Sequence, residues 1–312
     1  MLQISTISKA CRTNSLPEIR SLLETAHHQT PADYPEILNN VLRKSLYYKG
    51  SPDIIEYLVG SEKAPVDKLS VTYVARSASI PVLDILITHG WNVNCADSSS
   101  GWTLIYHVIH DDATVQWLVD HGADVGIGDF EYLANSRFEP RPAPLLEHCA
   151  CCGSLASFQF LREKGARLSR RTLHGAAQNA AAAGVDPAII EPSKRPGEED
   201  EDFVHRREAG RILRYLVDEL KLDVNEMDCE VRGQMPPQMH WGTPVNYAAR
   251  ERAGAAVVRW LLDKGADLTI GILECEPDAG VYRYDAEDSA KASGSEEIVE
   301  LIRKWKCERI TT

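Results

Sequence analysis

The side chains best suited to chemistry lie near the middle of the chain: Tyr106, His107, His110, Asp111, Asp112, His148 and Cys151. Histidine changes charge near neutral pH, and a neighbouring carboxylate orients and charges it. His107 and His110 are three residues apart, so on a helix they share a face and can act on one substrate. Tyr106, His107, His110 and His148 are therefore the candidates for acid–base catalysis of a dehydratase, isomerase or cyclase type. His148, Cys149, Cys151 and Cys152 carry the donor types of a zinc site, but their spacing opposes one. Cys151 and Cys152 are adjacent on a helix and cannot both reach one tetrahedral ion without distortion. Cys149 falls where a small residue faces the core, and there a free thiol behaves as a small hydrophobe. The sequence has no glycine-rich phosphate loop, nucleophile elbow or His-Glu-x-x-His motif. No metal and no cofactor is expected.

These residues sit on short elements that the sequence repeats. Four segments read alike: VLDILITHGWNVN (82–94), VQWLVDHGADVG (115–126), FQFLREKGARLS (158–169) and VVRWLLDKGADLT (257–269). Each predicts a short amphipathic helix stopped by Gly90, Gly122, Gly165 or Gly265, because glycine takes the left-handed conformation without steric cost. A fifth, LRYLVDELKLDVNEMD (213–228), keeps the frame but lacks the glycine. Upstream of several lies a second short helix rich in small residues, as in LLEHCACCG (145–153), TLHGAAQNAAAA (172–183) and TPVNYAARER (243–252). The repeating unit is thus helix, tight turn, helix and a β-prone tail.

This pattern resembles the ankyrin repeat family, whose unit of about 33 residues opens on T-P-L-H-x-A-A and closes on L-L-x-x-G-A-D-V. Thr243, Pro244, Ala248, Ala249, Leu261, Leu262, Gly265, Ala266 and Asp267 match it almost fully. Leu173, His174, Ala176 and Ala177 match the first half, and Gly122, Ala123, Asp124 and Val125 the second. Weaker copies lie at 7–24, 42–59 and 286–306. The motif histidine is kept only at His174; Thr72, Tyr106, Glu147 and Asn246 replace it elsewhere. The resemblance implies an all-α repeat solenoid, an ankyrin array of about eight helix–turn–helix units with extended β-finger loops. It would run through 1–312 as a single array, with units near 4–35, 36–68, 69–99, 100–130, 143–170, 171–228, 240–272 and 284–308.

Three fingers are longer than such a unit needs: 129–144, 229–241 and 273–285. They carry Phe130, Tyr132, Phe138, Met235, Met239, Trp241, Tyr282 and Tyr284, which suits ordered covers over a groove better than plain linkers. An acidic insert, 186–208, interrupts one repeat. Its unbroken Glu198–Asp202 run predicts a solvated, self-repelling loop, with docking of a basic partner as the other option.

In the family the end of each first helix points into a concave groove. The resemblance therefore places Arg12, Tyr48, Arg76, His110, Cys151, Gln178 and Arg250 in one row. Lys9, Ser45, Tyr73, His107, His148, Gly175 and Tyr247 form the row one helical turn back. The candidate binding residues are Tyr73, Arg76, Tyr106, His107, His110, His148, Cys151, Gln178, His240, Trp241, Tyr247 and Arg250. The family also uses histidine to join one repeat to the next, which is the structural alternative to catalysis. A basic, aromatic groove in an acidic chain favours an anionic partner, a protein segment or a carboxylate-bearing small molecule.

The 312 residues hold 34 basic and 46 acidic side chains, a net charge of −12. That charge opposes nucleic-acid binding and docking on an anionic membrane surface. No run reaches the roughly 18 apolar residues of a spanning helix. No secretory signal is visible, and the eight cysteines suit reduced thiols of the cytosol, or else the nucleus.

Overall fold

Apolar residues spaced three and four apart fold into paired helices. The computed structural model describes residues 4–128, 142–228, 242–276 and 280–310. They form two compact bodies, one ending at Asp124 and one built from residues 125–128 and 143 onward.

In the first body, α1 (Ile4–Arg12), α3 (Tyr34–Tyr47), α5 (Val71–Arg76) and α7 (Leu104–His107) pack side by side in chain order. Helices α2 (Leu16–Gln29), α4 (Pro52–Glu56) and α6 (Ile80–Thr88) make a second row, and α8 (Asp112–Asp120) follows α7. Leu42, Leu46, Leu58, Leu83 and Leu86 are fully buried between the rows, and each such side chain contributes roughly 1.5–3 kcal/mol.

The second body repeats the plan. Helices α9 (Leu145–Cys152), α11 (Thr172–Ala182), α13 (Pro244–Ala249) and α15 (Ala286–Ser293) form one row. Helices α10 (Leu155–Glu163), α12 (Asp200–Arg214), α14 (Ala255–Asp263) and α16 (Glu296–Ile310) pack against it. The alanines that the sequence puts on the first helices, Ala176, Ala177, Ala248 and Ala249, are buried where α11 meets α13. Small side chains let those two backbones approach closely.

The glycine stops behave as their sequence predicts. Gly90, Gly122, Gly165 and Gly265 have φ of +93°, +87°, +99° and +95°. The next residue's N–H then returns five positions, as from Ala266 to the Leu261 carbonyl at 3.0 Å. Where the left-handed position is not a glycine, the helix ends differently. Tyr57–Ser61 and Tyr215–Glu219 are π-turns continuing α4 and α12. Lys63 and Lys221 take the left-handed position at φ +60° and +56°. The closing bond spans six residues there, from Ala64 to Leu58 and from Leu222 to Leu216.

The expected ankyrin array with extended β-finger loops is not what the structure shows. The described repeats are helical and compatible with a helical repeat, but the tails after the second helices are turns. Asn92, Asp223 and Asp267 each accept from the backbone N–H two residues on, at 2.9, 2.8 and 2.8 Å. These turns satisfy the backbone locally and leave no ladder for a strand. Side chains join successive turns instead: Asn225 donates to the Gly265 carbonyl at 3.0 Å and accepts from Asp267 N at 2.7 Å. Asn94 does the same with Gly122 and Asp124 at 2.9 and 2.8 Å. Among the described residues, strands occur only at β1 (Ile272–Glu276) and β2 (Gly280–Tyr284), an antiparallel pair within the third long finger. Residues 129–141 and 229–241, with Phe130, Tyr132, Phe138, Met235, Met239, His240 and Trp241, lie outside the described residues.

Residues 199–202 of the insert's acidic run are exposed, but the insert is not a loop throughout. Asp200, Glu201 and Asp202 form the first turn of α12, where acidic side chains favour the helix dipole. Glu198 does not repel freely; both its oxygens accept from Arg206, at 2.7 and 2.8 Å. Arg214 donates to the carbonyls of Ile189 and Ile190, both at 3.0 Å, so the loop before α12 is pinned to it. No described helix is long and apolar enough to cross a membrane.

Candidate functional site

The first body carries a continuous basic and aromatic strip across three helices. Arg12 ends α1, Tyr47 ends α3 with Tyr48 just beyond it, and Arg76 ends α5. Cationic side chains are favoured there by the carbonyl ends of the helices. The Arg12 guanidinium lies 5.3 Å from the Tyr48 ring centroid and donates to its hydroxyl at 3.3 Å. That bond lowers the Tyr48 pKa and raises that of Arg12. Tyr48 meets Tyr47 edge to face at 5.0 Å. Arg76 covers Tyr47 at 4.4 Å, and Lys44 approaches the same ring at 5.5 Å. Arg12 and Arg76 are exposed, and Tyr47 keeps 39% of its surface. Tyr73, one turn before Arg76, is half-buried.

The histidine pair is not assembled as its spacing suggested. Helix α7 is four residues long and ends at His107, so His110 falls in the following turn and not on a shared helical face. His110 is exposed. His107 is half-buried, its ring edge on to Trp102 at 5.5 Å. Its Nε2 is buried without a hydrogen-bond partner. Burial lowers its pKa, against a weaker upward pull from Asp97. Tyr106 is 2% exposed and stacks on Trp102 at 5.8 Å, so it belongs to the core. The Asp111 carboxylate caps α8 through Thr114, at 3.3 Å to the N–H and 2.7 Å to the hydroxyl. It orients the helix, not a histidine.

The second body gathers a different set. Arg171, before α11, lies 3.9 Å from both the Glu147 and the Asp228 carboxylates. Asp228 is fully buried and accepts from the Tyr247 hydroxyl at 2.5 Å and from Gly242 N at 3.0 Å. Its own N–H donates to the Gly242 carbonyl at 3.1 Å, so it joins the two ends of the 229–241 segment. Glu147 accepts from Ser169 at 2.8 Å, and burial raises its pKa against the pull of Arg171. Tyr247, 3% exposed, has its pKa raised by burial and then by Asp228. Arg250 stacks on Tyr247 at 4.4 Å.

His174 completes this network. Its Nε2 donates to the Glu226 carbonyl at 2.9 Å, and its ring sits edge to face with Tyr247 at 5.2 Å. It is fully buried, and desolvation brings its pKa down to about 4. Gln178 donates to Glu251 at 2.9 Å. The His148 Nε2 lies 3.5 Å from the Cys152 sulfur. Burial pushes the thiols of Cys151 and Cys152 up to about 12 and about 11, so neither is a thiolate nucleophile at neutral pH. Cys149 is fully buried, and among the described residues no group of three or more His, Cys, Asp or Glu converges to hold a metal ion.

Of the proposed binding residues, the structure links Arg76 into the strip with Arg12, Lys44, Tyr47 and Tyr48. In the second body it links Tyr247 and Arg250 with Arg171 and Asp228. His240 and Trp241 lie outside the described residues. Lys44, Tyr47, Arg171 and Asp228 were not singled out by the sequence. The one signal for Asp228 is its likeness to Asp97, whose N–H also closes a connection, on the Trp102 carbonyl at 2.8 Å.

No family model matches the chain, and no curated protein matches it.

Proposed function

We propose that the protein is a binding module whose first body takes an acidic, extended polypeptide segment along the α1–α3–α5 strip. The unbroken Arg12–Tyr48–Tyr47–Arg76 contact carries this reading. In a chain of net charge −12, an exposed run of guanidinium and aromatic groups attracts carboxylates and disfavours cationic partners. The guanidinium planes are preorganised on the tyrosine rings, so less rotamer entropy is lost on binding. Acid–base catalysis finds no comparable support. His107 buries its Nε2, Tyr106 is in the core, and Asp111 is occupied as a cap.

The test is fluorescence anisotropy with a labelled oligoglutamate and a labelled oligolysine of equal length. The acidic peptide should bind more tightly, and binding should weaken as salt rises. The Arg12→Glu/Arg76→Glu double variant should weaken it by about tenfold or more, or roughly 1.4 kcal/mol. Equal binding of both peptides, or binding that ignores the double variant, removes the strip from the account.

A further inference from the structure

We propose that the strip selects extended segments bearing two carboxylates four residues apart with an apolar residue midway. This rests on the peptide-binding role proposed above and adds a spacing rule to it. Three contacts set the rule: Arg12 to the Tyr48 ring at 5.3 Å, Tyr48 to Tyr47 at 5.0 Å, and Tyr47 to Arg76 at 4.4 Å. Placed end to end they put the two guanidinium carbons at most about 15 Å apart, the reach of about four residues of extended chain. The two arginines come from helices that are not neighbours. Arg12 is on α1 and Arg76 on α5, with α3 packed between them. Neighbouring axes lie roughly 8–10 Å apart, so the two outer axes are separated by about twice that. Each arginine lies over a different tyrosine at the end of α3, Arg12 over Tyr48 and Arg76 over Tyr47.

An extended chain advances about 3.3 Å per residue and turns alternate side chains to the same face. Carboxylates at i and i+2 are only about 7 Å apart, about half of that upper bound. Those at i and i+6 are about 20 Å apart, beyond the upper bound. The i, i+4 pair spans about 13 Å and fits. Its i+2 side chain then falls over the Tyr47–Tyr48 pair, where Tyr47 is among the few large apolar side chains left exposed among the described residues. That position favours an apolar residue. The strip offers one or two side chains per helix in single file, a track suited to a strand and narrower than the roughly 10 Å diameter of a bound helix.

A series of labelled Ser/Gly peptides tests the rule. Each holds two glutamates separated by i+2, i+3, i+4, i+5 or i+6, with leucine or serine at the midpoint, and is titrated into the full chain at one salt concentration. The i+4 leucine peptide should bind about two- to fivefold tighter than the i+2 and i+6 peptides, the ratio that one exposed ion pair supplies. Arg76→Gln should flatten the spacing optimum, and Tyr47→Ala should erase the leucine preference. Both side chains are at the surface, and thermal unfolding by circular dichroism checks that the variants keep the fold. Binding that is independent of spacing overturns the rule while leaving the acidic-peptide role intact. So does an optimum other than i+4, or one that survives Arg76→Gln. If no acidic peptide binds, the role itself fails.

Discussion

His174 should make the second body lose stability as pH falls from 7 to 4. Its folded pKa is brought down to about 4 by burial, against about 6.5 in an unfolded chain. Depression of a histidine means that the folded state refuses a proton which the unfolded state accepts. The stability is therefore full above about pH 6.5 and lost as pH drops toward 4. The two pKa values give a loss of about 2 kcal/mol between pH 7 and pH 5, and about 3 kcal/mol by pH 4. Asp228 favours the protonated ring while Arg171 opposes it, and desolvation outweighs both. Glu147 acts in the other direction, since its raised pKa lets the folded state take a proton first as pH falls. A comparison with His174→Gln cancels such background, because glutamine keeps a donor for the Glu226 carbonyl and does not titrate. Urea unfolding of both proteins at pH 7, 5 and 4 reads the difference. NMR of the ring, identified by its loss in the variant, reads the pKa directly. A ring that titrates near 6.5, or parallel pH curves for the two proteins, would refute the reasoning.

Other perturbations follow from local geometry. Gly265→Ala should cost about 1–2 kcal/mol, all of it conformational, because φ is +95° and no atom lies within 4 Å of an added Cβ; a midpoint in urea unchanged from wild type would contradict this. Lys221→Gly should stabilise by up to about 1 kcal/mol, since lysine holds a left-handed φ of +56° there; a lower melting temperature would show that the lysine is favoured by something else. Asn225→Ala removes two bonds between successive turns and should destabilise by about 1–2 kcal/mol, measured by urea unfolding. Arg206→Met frees Glu198 and the loop it holds, so limited proteolysis should cut within 186–199 faster than in wild type; an unchanged cleavage rate would mean that Arg214 alone pins the loop.

What was legible in the sequence is what short-range chemistry decides. The glycine stops could be read because a left-handed φ is a property of one residue, and the alanine pairs because close helix contact demands small side chains wherever it occurs. The tails read as β-prone because Val93, Val125 and Val224 lie in them, but the Asn and Asp beside those valines decide the backbone. Asn92, Asp223 and Asp267 each close a turn on the spot, and a backbone already satisfied does not seek a strand partner. The π-turns were illegible for a related reason: a helix that lacks its glycine gains one residue, and a one-residue change leaves the apolar pattern almost untouched. The row of groove residues failed at Tyr247, which is buried, because a short helix ends before its periodicity can fix which side faces solvent. α7 has one turn, so His107 and His110 part company where a longer helix would have kept them together. The charged network was beyond sequence reading altogether. Glu147, Arg171, Asp228 and Tyr247 come from four separate segments, and only packing brings them together. The strip stands between these cases. Its arginines do end their helices, where the dipole favours them, but it is the pair of tyrosines that joins the separate cations into one surface.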